Sequence, residues 1–282
     1  VSLPIMPAGW VCVNLGAHQY SKQRTEGSDR VAALNVKPFR YDFTQVPGNA
    51  TQIIGYRPEE ILRDVRFARL RNQRLPLGGY YGLFANEDVR EILDITMPTE
   101  GTTFSVMVVS VAGGSVMELV DRALGIRDRA SMSADSSPYY ETNHLTNNGP
   151  TYVRRVNRKT AVIGLQKDLV AHQTALDESP NTELIELTSS MQDSLLFGIA
   201  DKMTADEAKQ LVVWAEDFGI DVPVKNVVAV WKNSDYLAAS VSLGRLPKVQ
   251  ILAKAEGAEA LEVIADELPN LPKSAKLLSQ LL

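Results

Sequence analysis

The chain is short of the residues that most often declare chemistry. One cysteine, Cys12, stands among 282 residues, so no disulfide can close within the chain and no thiolate cluster can hold a metal. That usage suits a reducing compartment, and the expected location is the cytoplasm or a virion. Three histidines occur, His18, His144 and His172, none in a His-Glu-x-x-His helix or other ligand spacing. No apolar run approaches the roughly 20 residues of a membrane span. The longest, around Val106 to Ala112, reads as a buried strand, so no membrane partner is expected. The first residues lack the basic region and long apolar core of a classical signal peptide. Removal of an initiator methionine before a small residue, or cleavage of a precursor, each accounts for Val1. A strong charge of one sign is missing too. The formal net charge of −5 disfavours nonspecific wrapping of nucleic acid and leaves only local basic patches for that purpose. The sequence has no Gly-x-Ser-x-Gly, no phosphate loop, no dinucleotide fingerprint and no calcium loop. No cofactor and no metal are expected, and no internal repeat or heptad run is found.

What is present is an ordinary share of apolar residues, 45%, enough for a sizeable core and too many for a disordered chain. Residues 1 to 57 carry Pro4, Pro7, Pro38 and Pro47 and read as extended, with a strand at Trp10 to Leu15 and a polar turn at Ser21 to Asp29. The spacing predicts a helix from Pro58 to Arg74, with Glu59 and Glu60 at its positive end. A short strand at Tyr80 to Phe84 and a short helix at Glu87 to Ile95 follow, the latter capped by Asn86. Thr102 to Ala112 is the strongest strand. Gly113-Gly114 turns the chain into a helix from Ser115 to Leu124, with Gly125 placed to end it. Residues 126 to 150, polar and rich in Ser, Asn and Tyr, read as a long loop and a domain boundary, with a turn at Asn147-Asn-Gly149.

Beyond that boundary Tyr152 to Val156 reads as strand or helix start. Helices are predicted at Ala161 to Ala175, Thr182 to Ala200 and Glu256 to Leu268. Another is opened by the capping box Thr204-Ala-Asp-Glu207 and runs to Phe218. Val222 to Trp231 and Lys248 to Ala253 read as strands, Tyr236 to Leu243 is ambiguous, and Lys273 to Leu282 reads as a last amphipathic helix. The fold class expected is therefore α+β. A β-rich, mixed domain with an extended arm fills residues 1–150, and a helix-rich domain fills 151–282. The alternative is α/β, suggested by strand–helix alternation.

Three groups of residues could carry function. Ser115 begins a helix beside free amides, which suit an oxyanion. With Lys159 or Lys167 as base it would make a serine–lysine hydrolase or protease, although capping alone also explains a serine there. Arg63, Arg66, Arg69, Arg71 and Arg74 crowd one helix, with Arg57 just before it, and Arg154 and Arg155 open a second basic cluster with Arg158 and Lys159. Guanidinium forks suit phosphate or carboxylate, hence nucleic acid or an acidic partner. The acidic residues spread along helices read as solvated faces. From these features the expected function is a non-enzymatic structural protein that assembles into homo-oligomers, a viral capsid or other virion component among them. The expected contacts are the N-terminal arm and the 126–150 stretch. The alternatives are the Ser-Lys hydrolase and a nucleic-acid-binding protein using its arginine-rich helix.

Overall fold

The computed structural model describes residues 5–6, 10–16, 40–63, 84, 88–99, 102–132, 138–177, 187–188, 190–202, 204, 224–243 and 247–267. In chain order its elements begin with β1 (Ile5–Met6), β2 (Trp10–Gly16), a 3-10 turn at Phe43–Gln45, β3 (Gln52–Tyr56) and α1 (Pro58–Arg63). Next come β4 (Val89–Thr99), β5 (Thr102–Val111), α2 (Val116–Leu124), β6 (Ile126–Met132), β7 (Pro138–Thr146), β8 (Gly149–Arg155), β9 (Thr160–Leu165) and α3 (Gln166–Leu176). The described chain closes with β10 (Leu196–Asp201), α4 (Val224–Asn233), β11 (Tyr236–Leu243), β12 (Pro247–Lys254) and α5 (Ala258–Glu267).

Two compact units are formed, Arg40–Leu196, and Val1–Phe39 together with Phe197–Leu282. In the first, seven strands run in the order β3-β4-β5-β9-β8-β7-β6, and their pairings are antiparallel. Helix α3 lies on β5, β8 and β9, and α2 touches β5, β7 and β9. A Cβ on Gly164 would lie 3.3 Å from Val106 of β5, with Leu169 of α3 in ordinary contact at 3.7 Å, so the position favours a residue without Cβ. The core of this unit includes Ile53, Ile92, Leu93, Ile95, Val108, Val109, Val162, Ile163 and Leu169, each at most 1% exposed.

In the second unit the order is β1-β2-β12-β11-β10, with β10 belonging to it from Phe197 onward. Strand β2 pairs antiparallel with β12 from Trp10 opposite Lys254 to Gly16 opposite Lys248. Helices α4 and α5 pack together, and Val230, Ala253, Ala255 and Ile264 form a small core beneath Leu237, Ile251 and Leu261. Described stretches of the N-terminal arm, 5–6 and 10–16, are thus sheet strands of the same chain.

The expected fold class is overturned. Antiparallel sheet dominates, and the part after residue 150 is not helix-rich, since it supplies most of β8 and all of β9 to β12. Antiparallel pairing likewise excludes the parallel α/β alternative. Particular elements explain the difference. Residues 87–95 contain no described helix but the start of β4, whose alternation is hidden because Ile92 is buried on one face and Leu93 and Ile95 on the other. The described residues of 126–150 are not a loop but form β6, β7, the turn after it and the start of β8. Their polar composition belongs to half-exposed strands in which Tyr139 and Thr142 point inward. The helix expected at 161–175 is strand to Leu165 and helix after it, because Ala161-Val-Ile-Gly-Leu165 is a short buried run that periodicity alone cannot assign. Residues 224–233, rich in valine, are helical because α4 packs on α5, which overrides β propensity. The end of the expected helix 182–200 is strand β10, and Phe84 is helical. The turn at 21–29, residues 64–74, the helix at 205–218 and the helix at 273–282 lie outside the described residues.

Candidate functional site

The turn end of the β7–β8 hairpin carries an accessible candidate. Its turn is held by one side chain: the Thr146 hydroxyl donates to the Gly149 carbonyl at 2.9 Å and accepts from the Asn148 amide at 3.1 Å. Gly149 sits at φ +123°, a conformation that favours glycine. One strand along, β9 runs straight into α3. Between the hairpin end and the first turn of α3 lies an open groove of about 570 Å³, lined by Asn148, Pro150, Tyr152, Leu165, Lys167 and Val170 among others. Val170 is 48% exposed, and Leu145, which pairs with Pro150 and so shares its face, is 66% exposed. Single exposed aliphatic side chains are ordinary. Here two of them adjoin one apolar-lined groove and extend it into a patch. At its polar side the Tyr152 hydroxyl donates to Glu141 at 3.4 Å.

A second concentration of chemistry is buried beneath residues 41–57. An extra residue, Arg90, breaks the β4–β5 register between Val89, opposite Val111, and Glu91, opposite Ser110. The shift turns Glu91 to the face of Ser110 and Thr160. All three are nearly inaccessible. Ser110 hydrogen-bonds Glu91 and lies 3.2 Å from the Thr160 hydroxyl, while the Asp42 amide donates to both Glu91 oxygens at 3.3 Å. Burial pushes the Glu91 carboxyl above its ordinary range, against the pull of the Asp42 amide.

Two residues beyond Thr160, Val162 pairs with Arg154, so the guanidinium lies on the same face. Arg154 meets His172 Nδ1 at 3.3 Å and the Gln45 side-chain oxygen at 3.3 Å, and His172 Nε2 meets the Gln45 carbonyl at 2.8 Å. A carbonyl on Nε2 and a guanidinium on Nδ1 require the neutral tautomer with its proton on Nε2. Burial first, and the Arg154 charge after it, pull the His172 pKa down to about 4. One turn earlier on α3, burial raises the Asp168 carboxyl. At the other end of the segment 41–57, Arg57, 1% exposed, stacks on Tyr41 with 4.4 Å to the ring centroid. It pairs with Glu60 at 3.1 Å and donates to the Gln192 carbonyl at 2.6 Å. Burial pushes the Tyr41 hydroxyl up. These groups hold one another and residues 41–57 on the sheet, which is an architectural arrangement.

Ser115 opens α2 as expected, but its side chain caps nothing. The Val116 amide goes instead to the Arg158 carbonyl at 3.0 Å. Lys159 is brought to the same turn, where its exposed Nζ donates to the Ala112 carbonyl at 3.1 Å. A group used as a donor is not presenting a lone pair to Ser115. Lys167 lies in the groove, and Ser115 does not line it. Arg63 is the last described residue of α1, while Arg66, Arg69, Arg71 and Arg74 lie outside the described residues. Arg154 is buried and only Arg155 of that pair faces solvent. Among the described residues no cluster of three or more His, Cys, Asp or Glu could hold a metal, and no helix is long and apolar enough to cross a membrane. Sequence reasoning passed over Tyr41, Gln45 and Glu91, and over the environment of His172. The contact between Gln45 and His172 spans 127 positions and has no local signature.

No family model and no curated protein matches the chain. Among solved structures, crystal form I of TP0453 is similar with 11% identity and a TM-score of 0.40, covering 80% of this chain and 81% of that one. Crystal form III gives 11% and 0.39 over 83% and 86%, and crystal form IV 9% and 0.37 over 76% and 79%. At these values the likeness supports no functional argument.

Proposed function

We propose that this chain is a non-enzymatic protein that acts by self-association, through the face formed by the β7–β8 hairpin end and α3. The observation that carries the reading is the apolar patch of Leu145, Pro150 and Val170 around an open groove. The carboxyls and the imidazole with displaced protonation, Glu91, Asp168 and His172, are in contrast buried outside that groove. Covering two large aliphatic side chains contributes up to about 1.5–3 kcal/mol each, which is enough to bias an association that shape and hydrogen bonds then specify.

Light scattering and electron microscopy across a concentration series provide the test, and they also separate a small oligomer from a closed shell of the virion kind. Leu145→Asp and Val170→Asp, each placing a charge in the patch, are expected to shift the population toward monomer without altering the circular dichroism spectrum. A folded wild-type chain that stays monomeric at high micromolar concentration would end the proposal.

A further inference from the structure

We propose that Asn148 is a modification site: the turn at the rim of the groove converts it, without an enzyme, into aspartate and isoaspartate. Asn148-Gly149 is the one Asn-Gly pair in the sequence. The reaction needs a backbone amide nitrogen to reach the preceding side-chain carbonyl, and any Cβ on the attacking residue obstructs it. Gly149 has none, and nothing lies within 4 Å of where one would be. Asn148 is exposed, and its side-chain amide makes no hydrogen bond among the described residues. Two other described asparagines are held. The Asn157 side-chain oxygen accepts from the amides of Lys159 and Thr160, and that of Asn143 accepts from Arg127.

The chemistry balances with water alone. The Gly149 nitrogen loses its proton and bonds to Cγ of Asn148, the bond from Cγ to the side-chain nitrogen breaks, and ammonia leaves. Water then opens the cyclic imide at either carbonyl. One opening gives aspartate. The other gives isoaspartate, in which the main chain runs through the former side chain and gains a methylene.

The product also bears on the proposed self-association face, and this second step rests on that reading. Asn148 lines the groove with Pro150, Tyr152 and Lys167. A carboxylate there must be dehydrated when another copy covers the groove. Lys167 offsets little of that cost, because an exposed ion pair is weak. Conversion therefore lowers self-association and makes the face sensitive to the age of the molecule.

The test is to hold the folded full-length chain in warm, mildly alkaline buffer and follow its peptides by mass spectrometry, with isoaspartyl methyltransferase labelling to separate the two products. Loss of Asn148 ahead of the other asparagines, with isoaspartate among the products, is expected. Asn148→Gln should abolish the signal without disturbing the turn. An intact Asn148 in the folded chain, when the urea-unfolded chain converts, would overturn the proposal, as would no conversion in either. Asn148→Asp is then compared with wild type in the sizing series. If Leu145→Asp leaves the sizing unchanged while Asn148 still converts, the self-association face fails and the modification site stands.

Discussion

His172 shows how much a single buried side chain can set. Its pKa near 4, against an ordinary value of 6.5, means that between those pH values the unfolded chain binds a proton that the folded chain refuses. Its contribution is fully present above about pH 6.5 and is lost as the pH falls toward 4, and the shift corresponds to about 3 kcal/mol. Glu91 and Asp168 work in the opposite sense. Their raised values mean that the folded form favours the proton, so their contribution appears on acidification and is lost as the pH rises through those values. The net profile is a sum, and His172→Gln isolates the histidine part, since its amide keeps a donor for the Gln45 carbonyl. Urea unfolding at a series of pH values should show wild type losing stability relative to that variant between pH 6.5 and 4. Parallel curves would mean that protonation of His172 is no different in the folded chain.

At the scale of elements, the end of α2 is where local and tertiary demands meet. Gly125, at φ +67°, donates to the Asp121 carbonyl at 2.8 Å, and the next amide, Ile126, reaches the Asp121 carboxylate at 2.8 Å. The Asn143 amide of β7 then donates to the Gly125 carbonyl at 2.7 Å, and a Cβ on Gly125 would overlap the Asn143 side chain. Gly125→Ala should therefore cost about 1 kcal/mol of backbone strain and roughly 1–3 kcal/mol of overlap. In an Asn143→Ala background only the strain remains, and chemical denaturation of the four chains in a double-mutant cycle reads the difference. The sequence discloses this helix end because a glycine after an amphipathic run is a local signal. Strands β2, β5 and β12 are legible for similar reasons. Strand β4 is not, because burial on both faces removes the alternation that marks a strand, and the bulge at Arg90 that aims Glu91 leaves no trace in composition. Of the candidate groove, Asn147-Asn-Gly149 and Lys167 are visible in the sequence. The exposure of Leu145 and Val170 is not, since it depends on what fails to pack over them.

At the scale of the molecule, the two units differ in how the chain builds them. Arg40–Leu196 is continuous, and its strands β3 to β9 and helices α1 to α3 come from one stretch of sequence. The other unit takes β1 and β2 from the beginning of the chain and everything else from its end. A fragment of residues 40–196 is expected to unfold cooperatively in urea. A fragment of residues 197–282 should not, because β12 loses its β2 partner and exposes an unpaired strand. Adding residues 1–39 as a separate peptide should restore cooperativity in proportion to its concentration, and a fragment 197–282 that folds unaided would refute the assignment of β2 to that unit. The pairing of Leu15 with Val249 also sets a schedule for biosynthesis. At the roughly 5–20 residues per second of translation, β2 waits about ten to fifty seconds for β12 to leave the ribosome. During that interval the continuous unit can finish folding while β2 stays open to any passing edge, including the same strand of a neighbouring nascent chain. Slowing translation between β2 and β12 is therefore expected to lower the yield of native chain, and a chaperone that covers the N-terminal segment to restore it.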